Sequence, residues 1–317
     1  MKHLERALDN QNQLWKYIVN FLIAFVGGSI VGSIPLFIVL ISKTIESGGA
    51  IAPNPNNAAD LTVYGISSNV SLILIMLPFL VGLIASALML KPLHKRTFAE
   101  VVNGTKTIRW NHLFIGFGIW FAIYALYFLI SYSLEPTNFV LQTQWETFLP
   151  LVFISFLLIP FQTALEEFMF RGYLAQGIGA WTRNRWLVII IPSLLFGLMH
   201  IANPEVKEYG FWNVMPQYVF MGLMFGLITV FDDGIETSIG IHAANNIFSS
   251  LFITSKASVL QTAAVFEQQK INIHDDTLSL LILGVFSVII LKYIYKWDFK
   301  VLGKKIELEH SEEQIDI

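Results

Sequence analysis

Two adjacent carboxylates, Glu166 and Glu167, close the apolar stretch LPLVFISFLLIPFQTALEEFMF, and Arg171 follows them. An ionised carboxylate in hydrocarbon is costly, so acids inside a membrane face a wet cavity or a partner and mark function by default. Glu167 and Arg171 stand at i and i+4 and pair along a helix, which accounts for one acid and the base. Glu166 points about 100° away from Glu167 and is left over. His200 lies near the end of WLVIIIPSLLFGLMHIANP, and His242 and Asn246 share one face of IETSIGIHAANNIFSSLFI, with Asn245 turned aside. One carboxylate, two imidazoles and a carboxamide on three apolar helices are costly in lipid unless those helices meet around a wet site.

The chemistry this set suits is hydrolysis. Peptide cleavage without a nucleophilic side chain needs an activated water and stabilisation of the developing oxyanion. Glu166 is the candidate base, and His200 would hold the water or share its proton. His242 and Asn246 would donate to the carbonyl oxygen as it becomes negative. The same residues admit a second chemistry, in which His200, His242 and Glu166 form a His2Glu zinc site with an open water position, although the HExxH spacing is absent and Asn246 would be an unusual ligand. Ser29, Ser33, Ser193 and Ser249 sit in no nucleophile motif and read as helix-packing residues. A non-enzymatic reading stays open beside these: a proton-coupled transporter, or an immunity or scaffold protein. Buried Glu and His fit a transporter, but no repeated half or matching broken helices accompany them.

In these residues the chain resembles the CPBP family of intramembrane proteases, which includes CAAX-processing endopeptidases and bacterial Abi proteins. The pattern EExxxR falls on Glu166, Glu167 and Arg171, FxxxH on Phe196 and His200, and HxxxN on His242 and Asn246, over about residues 145 to 255. The resemblance implies a glutamate-dependent endopeptidase without a cofactor, with Glu167 and Arg171 supporting the first carboxylate. It implies a membrane-associated peptide or protein as substrate, in CAAX-type processing, peptide maturation or bacteriocin self-immunity. Asp232 and Asp233 depart from the polar or basic turn of many relatives, which bears on substrate preference more than on catalysis.

The elements that must position these residues follow from hydropathy. Of 317 residues 55% are hydrophobic and 14% charged, with mean hydropathy +0.61, unlike a soluble domain. Runs near 20 residues, long enough for a bilayer core of about 30 Å, recur along the chain. They predict eight spans, near 15–42, 66–90, 112–133, 147–170, 186–203, 212–231, 235–254 and 277–296, in an all-α transmembrane bundle. The expected division is an N-terminal region of three spans (1–144), a protease-like core (145–255), and a final span with a charged tail (256–317). The first span reads as retained, with no small-residue cleavage site after it. With both termini inside, sixteen of the twenty Lys and Arg face the cytoplasm, and a multi-pass bacterial plasma-membrane protein is expected. The turn FDDGIE is then internal yet carries three acids and no base.

Depth along the helices supports a shared site. Glu166 and His200 lie at similar heights, each about 20 Å from the tryptophans Trp181 and Trp186 at 1.5 Å per residue. His242, only seven residues beyond Ile235, fits only if the FDDGIE turn is recessed or its helix tilts. SGGAIAPNPNN reads as an external loop, and KPLHKRTFAEVVNGTKTIRW as a basic internal loop suited to anionic lipid. Trp120 reads as packing, and the tail KVLGKKIELEHSEEQIDI as a solvated extension. The absence of cysteine excludes disulfides, thiolate catalysis and Cys-ligated zinc, and no nucleic-acid partner is expected.

Overall fold

Apolar runs in lipid must satisfy their backbone hydrogen bonds within one segment, which leaves helix as the available form. The computed structural model describes residues 2–49, 60–142 and 144–308, and the external loop falls mostly outside them. Helices occupy all eight expected stretches: α1 (Leu14–Glu46), α2 (Ser68–His94), α3 (Trp110–Leu134), α4 (Trp145–Thr182), α5 (Arg185–Met199), α6 (Phe211–Asp232), α7 (Glu236–Phe252) and α8 (Ile273–Tyr295). Six of them, α1 to α4, α6 and α8, are long and apolar enough to cross a membrane. The chain is a multi-pass membrane protein. Ile38, Leu88, Phe114, Phe153 and Ile282 are exposed on its outer faces, as lipid contact requires.

Polar caps mark several helix starts. Ser67 accepts from Val70 N ahead of α2, Asn184 from Trp186 N and Leu187 N ahead of α5, and Asn272 from His274 N ahead of α8. Such caps satisfy N–H groups that have no partner within the helix. Of the two shorter helices, α5 (15 residues) buries one face and exposes the other, from Trp186 to Met199, whereas α7 (17 residues) is mostly buried. α7 is buried continuously from Glu236 to Ala244 and packs against α3, α4 and α6. Its approach to α3 depends on two glycines: a side chain on Gly240 would strike the Leu113 carbonyl, and one on Gly116 would stand 2.6 Å from Thr237 O. Small residues at a crossing let backbones come this close.

A small sheet caps the end where α4 begins and α7 finishes, a departure from an all-helical chain. Its strands, β1 (Phe139–Leu141), β2 (Ile253–Thr254) and β3 (Phe266–Gln268), run in the order β1-β3-β2, with β1 antiparallel and β2 parallel to β3. These segments leave the helices and pair with one another where the apolar runs stop.

The opposite end is closed by a polar network that resolves the puzzle of the acidic turn. Arg109 donates to Glu236 through Nη2 (2.6 Å), Nε (3.2 Å) and its backbone N–H (3.1 Å), and through Nη1 to Asp232 O (2.7 Å). His112 lies 3.0 Å from Asp232. Asp233 accepts from the backbone N–H groups of Lys2 (2.7 Å) and His3 (3.0 Å). The turn is recessed: Glu236, Thr237 and Ser238 are buried beneath the 98–109 segment and the N-terminal residues. That recess sets the depth of His242.

The basic internal loop therefore has two uses. Arg96 is fully buried, with Nη2 2.7 Å from Asp9 Oδ1, and Arg109 serves the acidic turn, while Lys91, Lys95 and Lys106 remain exposed. The start of the charged tail is anchored at Ile306, while Lys300, Lys304 and Lys305 around it stay exposed. Ile306 is buried and its backbone N–H donates to Arg183 O at 3.1 Å, while residues 309–317 lie outside the described chain.

Candidate functional site

α4 brings both carboxylates to the point where α5, α6 and α7 converge. They end its regular part, after which the helix widens into a π-helical turn over Phe168–Leu174 that carries Arg171. Such turns re-aim side chains and recur at functional sites.

Glu167 is fully buried and paired. Its Oε1 accepts from Arg171 Nη1 at 3.0 Å, the i, i+4 pair expected from spacing, and from His242 Nδ1 at 2.9 Å. The guanidinium carbon of Arg171 lies 4.2 Å from the centre of the Phe196 ring and 5.3 Å from that of Phe225. Aromatic faces support a cation that has left water. Phe196 thus has two functions, since its carbonyl also accepts from His200 Nδ1 at 2.8 Å.

Glu166 has no such cation. Its Oε1 accepts from Gln162 Nε2 at 2.6 Å. Its Oε2 is buried with no hydrogen-bond partner among the described residues and stands 3.7 Å from His242 Nε2, beyond direct hydrogen-bond reach. Nδ1 is the nitrogen turned to Glu167, which leaves Nε2 as the one turned toward Glu166. The ring is held by stacking on Phe225, centroids 5.0 Å apart.

His200 ends α5 and stacks on Tyr218 of α6 with centroids 4.3 Å apart. The field of Glu166 reaches both of these groups. Among the described residues no direct hydrogen bond joins His200 to Glu166 or His242, and the Phe196 ring lies beside both imidazoles. Asn246 donates to Gln162 Oε1 at 2.9 Å. Asn245, turned from the acids' face as expected, nevertheless joins the set by donating to Asn246 Oδ1 at 3.0 Å. No three His, Asp or Glu side chains among the described residues are gathered as metal donors.

All six residues singled out by type and spacing thus belong to one region. Gln162, Phe225 and Tyr218 were missed. Gln162 carried a usable signal, a carboxamide one helical turn before Glu166 in an apolar run. Phe225 and Tyr218 carried none, because aromatics are common in every span.

Residues 144–248 match the family model described as type II CAAX prenyl endopeptidase Rce1-like, a stretch that contains Glu166, Glu167, Arg171, His200, His242 and Asn246. The chain is 32% identical over 262 residues to the uncharacterized protein YyaK of Bacillus subtilis (strain 168), covering 82% of this chain and 84% of that one. No solved structure matches. The chain belongs to the Rce1-like family of membrane proteases.

Proposed function

We propose that this protein is an intramembrane endopeptidase that hydrolyses a peptide bond of a membrane-associated protein or peptide, with Glu166 activating the water. The observation that carries this reading is the asymmetry of the two acids. Glu167 Oε1 is bound by Arg171 and His242, whereas Glu166 Oε1 meets only a neutral amide; both acids keep Oε2 without a hydrogen-bond partner among the described residues, but that of Glu166 is the one that stands beside His242 Nε2. A carboxylate without a counter-charge is the one able to exchange a proton during turnover.

In this mechanism a water at the apex between Glu166 Oε2 and His242 Nε2 gives its proton to the carboxylate as its oxygen attacks the scissile carbonyl. Glu166 passes that proton to His242 Nε2, Glu167 on Nδ1 stabilises the resulting imidazolium, and Nε2–H then protonates the leaving nitrogen as the C–N bond breaks, which leaves Glu166 a carboxylate and His242 neutral again. His200, oriented by the Phe196 carbonyl and the Tyr218 ring, presents Nε2 as a second acid–base group. Asn246 supports the carbonyl side. Prenylated CAAX-type peptides are the first substrates to try, because the family description names them. A bacterial plasma membrane with both termini inside is the proposed setting, and residues 145–255 are the proposed catalytic core.

The test is cleavage of membrane-tethered and prenylated peptides by the purified protein in detergent, comparing wild type, Glu166→Gln and chelator-treated enzyme. Loss of cleavage in the variant alone supports the glutamate mechanism, and loss with chelator as well moves the assignment to zinc. Identical behaviour of variant and wild type, in cleavage and in a cellular phenotype, leaves a scaffold or transport role.

A further inference from the structure

Five residues on three helices form a single hydrogen-bond chain that ends on Glu166. Trp120 Nε1 of α3 donates to Asn245 Oδ1 (3.3 Å), Asn245 Nδ2 to Asn246 Oδ1 (3.0 Å), Asn246 Nδ2 to Gln162 Oε1 (2.9 Å), and Gln162 Nε2 to Glu166 Oε1 (2.6 Å). Every link runs in the same direction. An indole nitrogen only donates and an ionised carboxylate only accepts, so the two ends fix the orientation of all three amides between them. Reversing any one would set donor against donor or acceptor against acceptor. The links shorten toward the carboxylate, as they do when a chain of dipoles terminates on charge.

From this we infer that Trp120, Asn245 and Gln162 are positioning residues for Glu166. They hold its Oε1 in a neutral, one-directional hydrogen bond and thereby aim Oε2 at the reacting water, so α3 completes the catalytic site. The inference rests on the protease reading for its catalytic consequence but not for its effect on Glu166. Trp120 is buried and lies outside residues 144–248, so the site is incomplete without α3.

The charged and titratable groups within reach of the Glu166 charge are His242 on α7, which is the nearest, and, without direct contact, Arg171 on α4, His200 at the end of α5 and Tyr218 on α6. None changes in the following test. A membrane-soluble carbodiimide modifies a carboxyl group in its protonated form, so its rate at Glu166, read by peptide mass mapping, reports how well the ionised form is supported. Removing the amide donor in Gln162→Met should raise the rate about tenfold, the effect of one hydrogen bond to a charge. Trp120→Phe, which removes the far donor and retains a ring, should raise it about twofold. Tyr124→Phe is the control. It deletes the hydroxyl of a pair between the same two helices, Tyr124 with Ser249 at 3.3 Å, and lies outside the chain, so its rate should match wild type.

In cleavage assays both chain variants should lower kcat while KM stays within about twofold. A Trp120→Phe rate equal to wild type, or a Tyr124→Phe rate raised as much, overturns the inference. If Trp120→Phe does not assemble, Asn245→Leu breaks the chain one link further in and decides the same question. If wild type cleaves no peptide, the protease reading fails, while the labelling rates still settle the chain.

Discussion

His242 binds the second acid of the pair and faces the first: Nδ1 lies 2.9 Å from Glu167 Oε1, and Nε2 lies 3.7 Å from Glu166 Oε2. One imidazole therefore separates two carboxylates that are neighbours in sequence and gives them different environments. The consequences can be measured.

Glu167 should be structural where Glu166 is not. Glu167→Gln leaves the buried guanidinium of Arg171 without its counter-charge, and such uncompensated burial costs about 3–5 kcal/mol. Thermal unfolding in detergent should show a large fall in Tm for Glu167→Gln and a small one for Glu166→Gln. Adding Arg171→Met to Glu167→Gln should recover part of the loss, since the two residues are coupled. Equal destabilisation by the two single variants would contradict this division.

Gly240→Ala should separate α3 from α7. Its new methyl would meet the Leu113 carbonyl, and overpacking of this kind costs about 1–3 kcal/mol. Because α3 carries Trp120 and α7 carries Asn245, activity should fall further than Tm alone predicts. Tm and specific activity measured on the same preparation check it.

The N-terminal segment should loosen in acid. Burial of Asp9 opposes its charge, but the hydrogen bond and charge of Arg96 outweigh it and hold the carboxyl below its ordinary 3.8. A depressed acid contributes stability that is present above the ordinary value and lost as pH falls through the folded one. Tm should therefore drop below about pH 4 in wild type. The pair is partly solvated, so the effect will be modest. Asp9→Asn should lower Tm at neutral pH and flatten this limb, and a wild-type acid limb unchanged in the variant would count against the pair.

Topology can be read directly because the natural chain has no cysteine. Single cysteines replacing the exposed Lys95 and Lys304 should react with a membrane-impermeant maleimide only after the cytoplasmic face is opened. One replacing the exposed Lys270 should react in intact cells. Labelling of all three from one side would overturn the assignment of both termini to the cytoplasm.

The amino-acid pattern alone determined much of this protein. The eight expected stretches became eight helices, six of them long and apolar enough to cross a membrane, because backbone groups in lipid have no partner outside their own segment, while α5 and α7 fall short of that length. The carboxylates, histidines and Asn246 stood out because polar groups are rare in such runs, and the i, i+4 spacing of Glu167 and Arg171 correctly paired them. Tertiary structure decided the rest. Only packing shows that FDDGIE is recessed, since its bases come from Arg109 and His112, more than 100 residues away in the chain. Only packing turns His242 toward Glu167 and links Trp120 to Glu166 through three amides. Composition reports the cost of a buried polar group, whereas its partner is set by which helix faces meet, and those contacts join residues far apart along the chain.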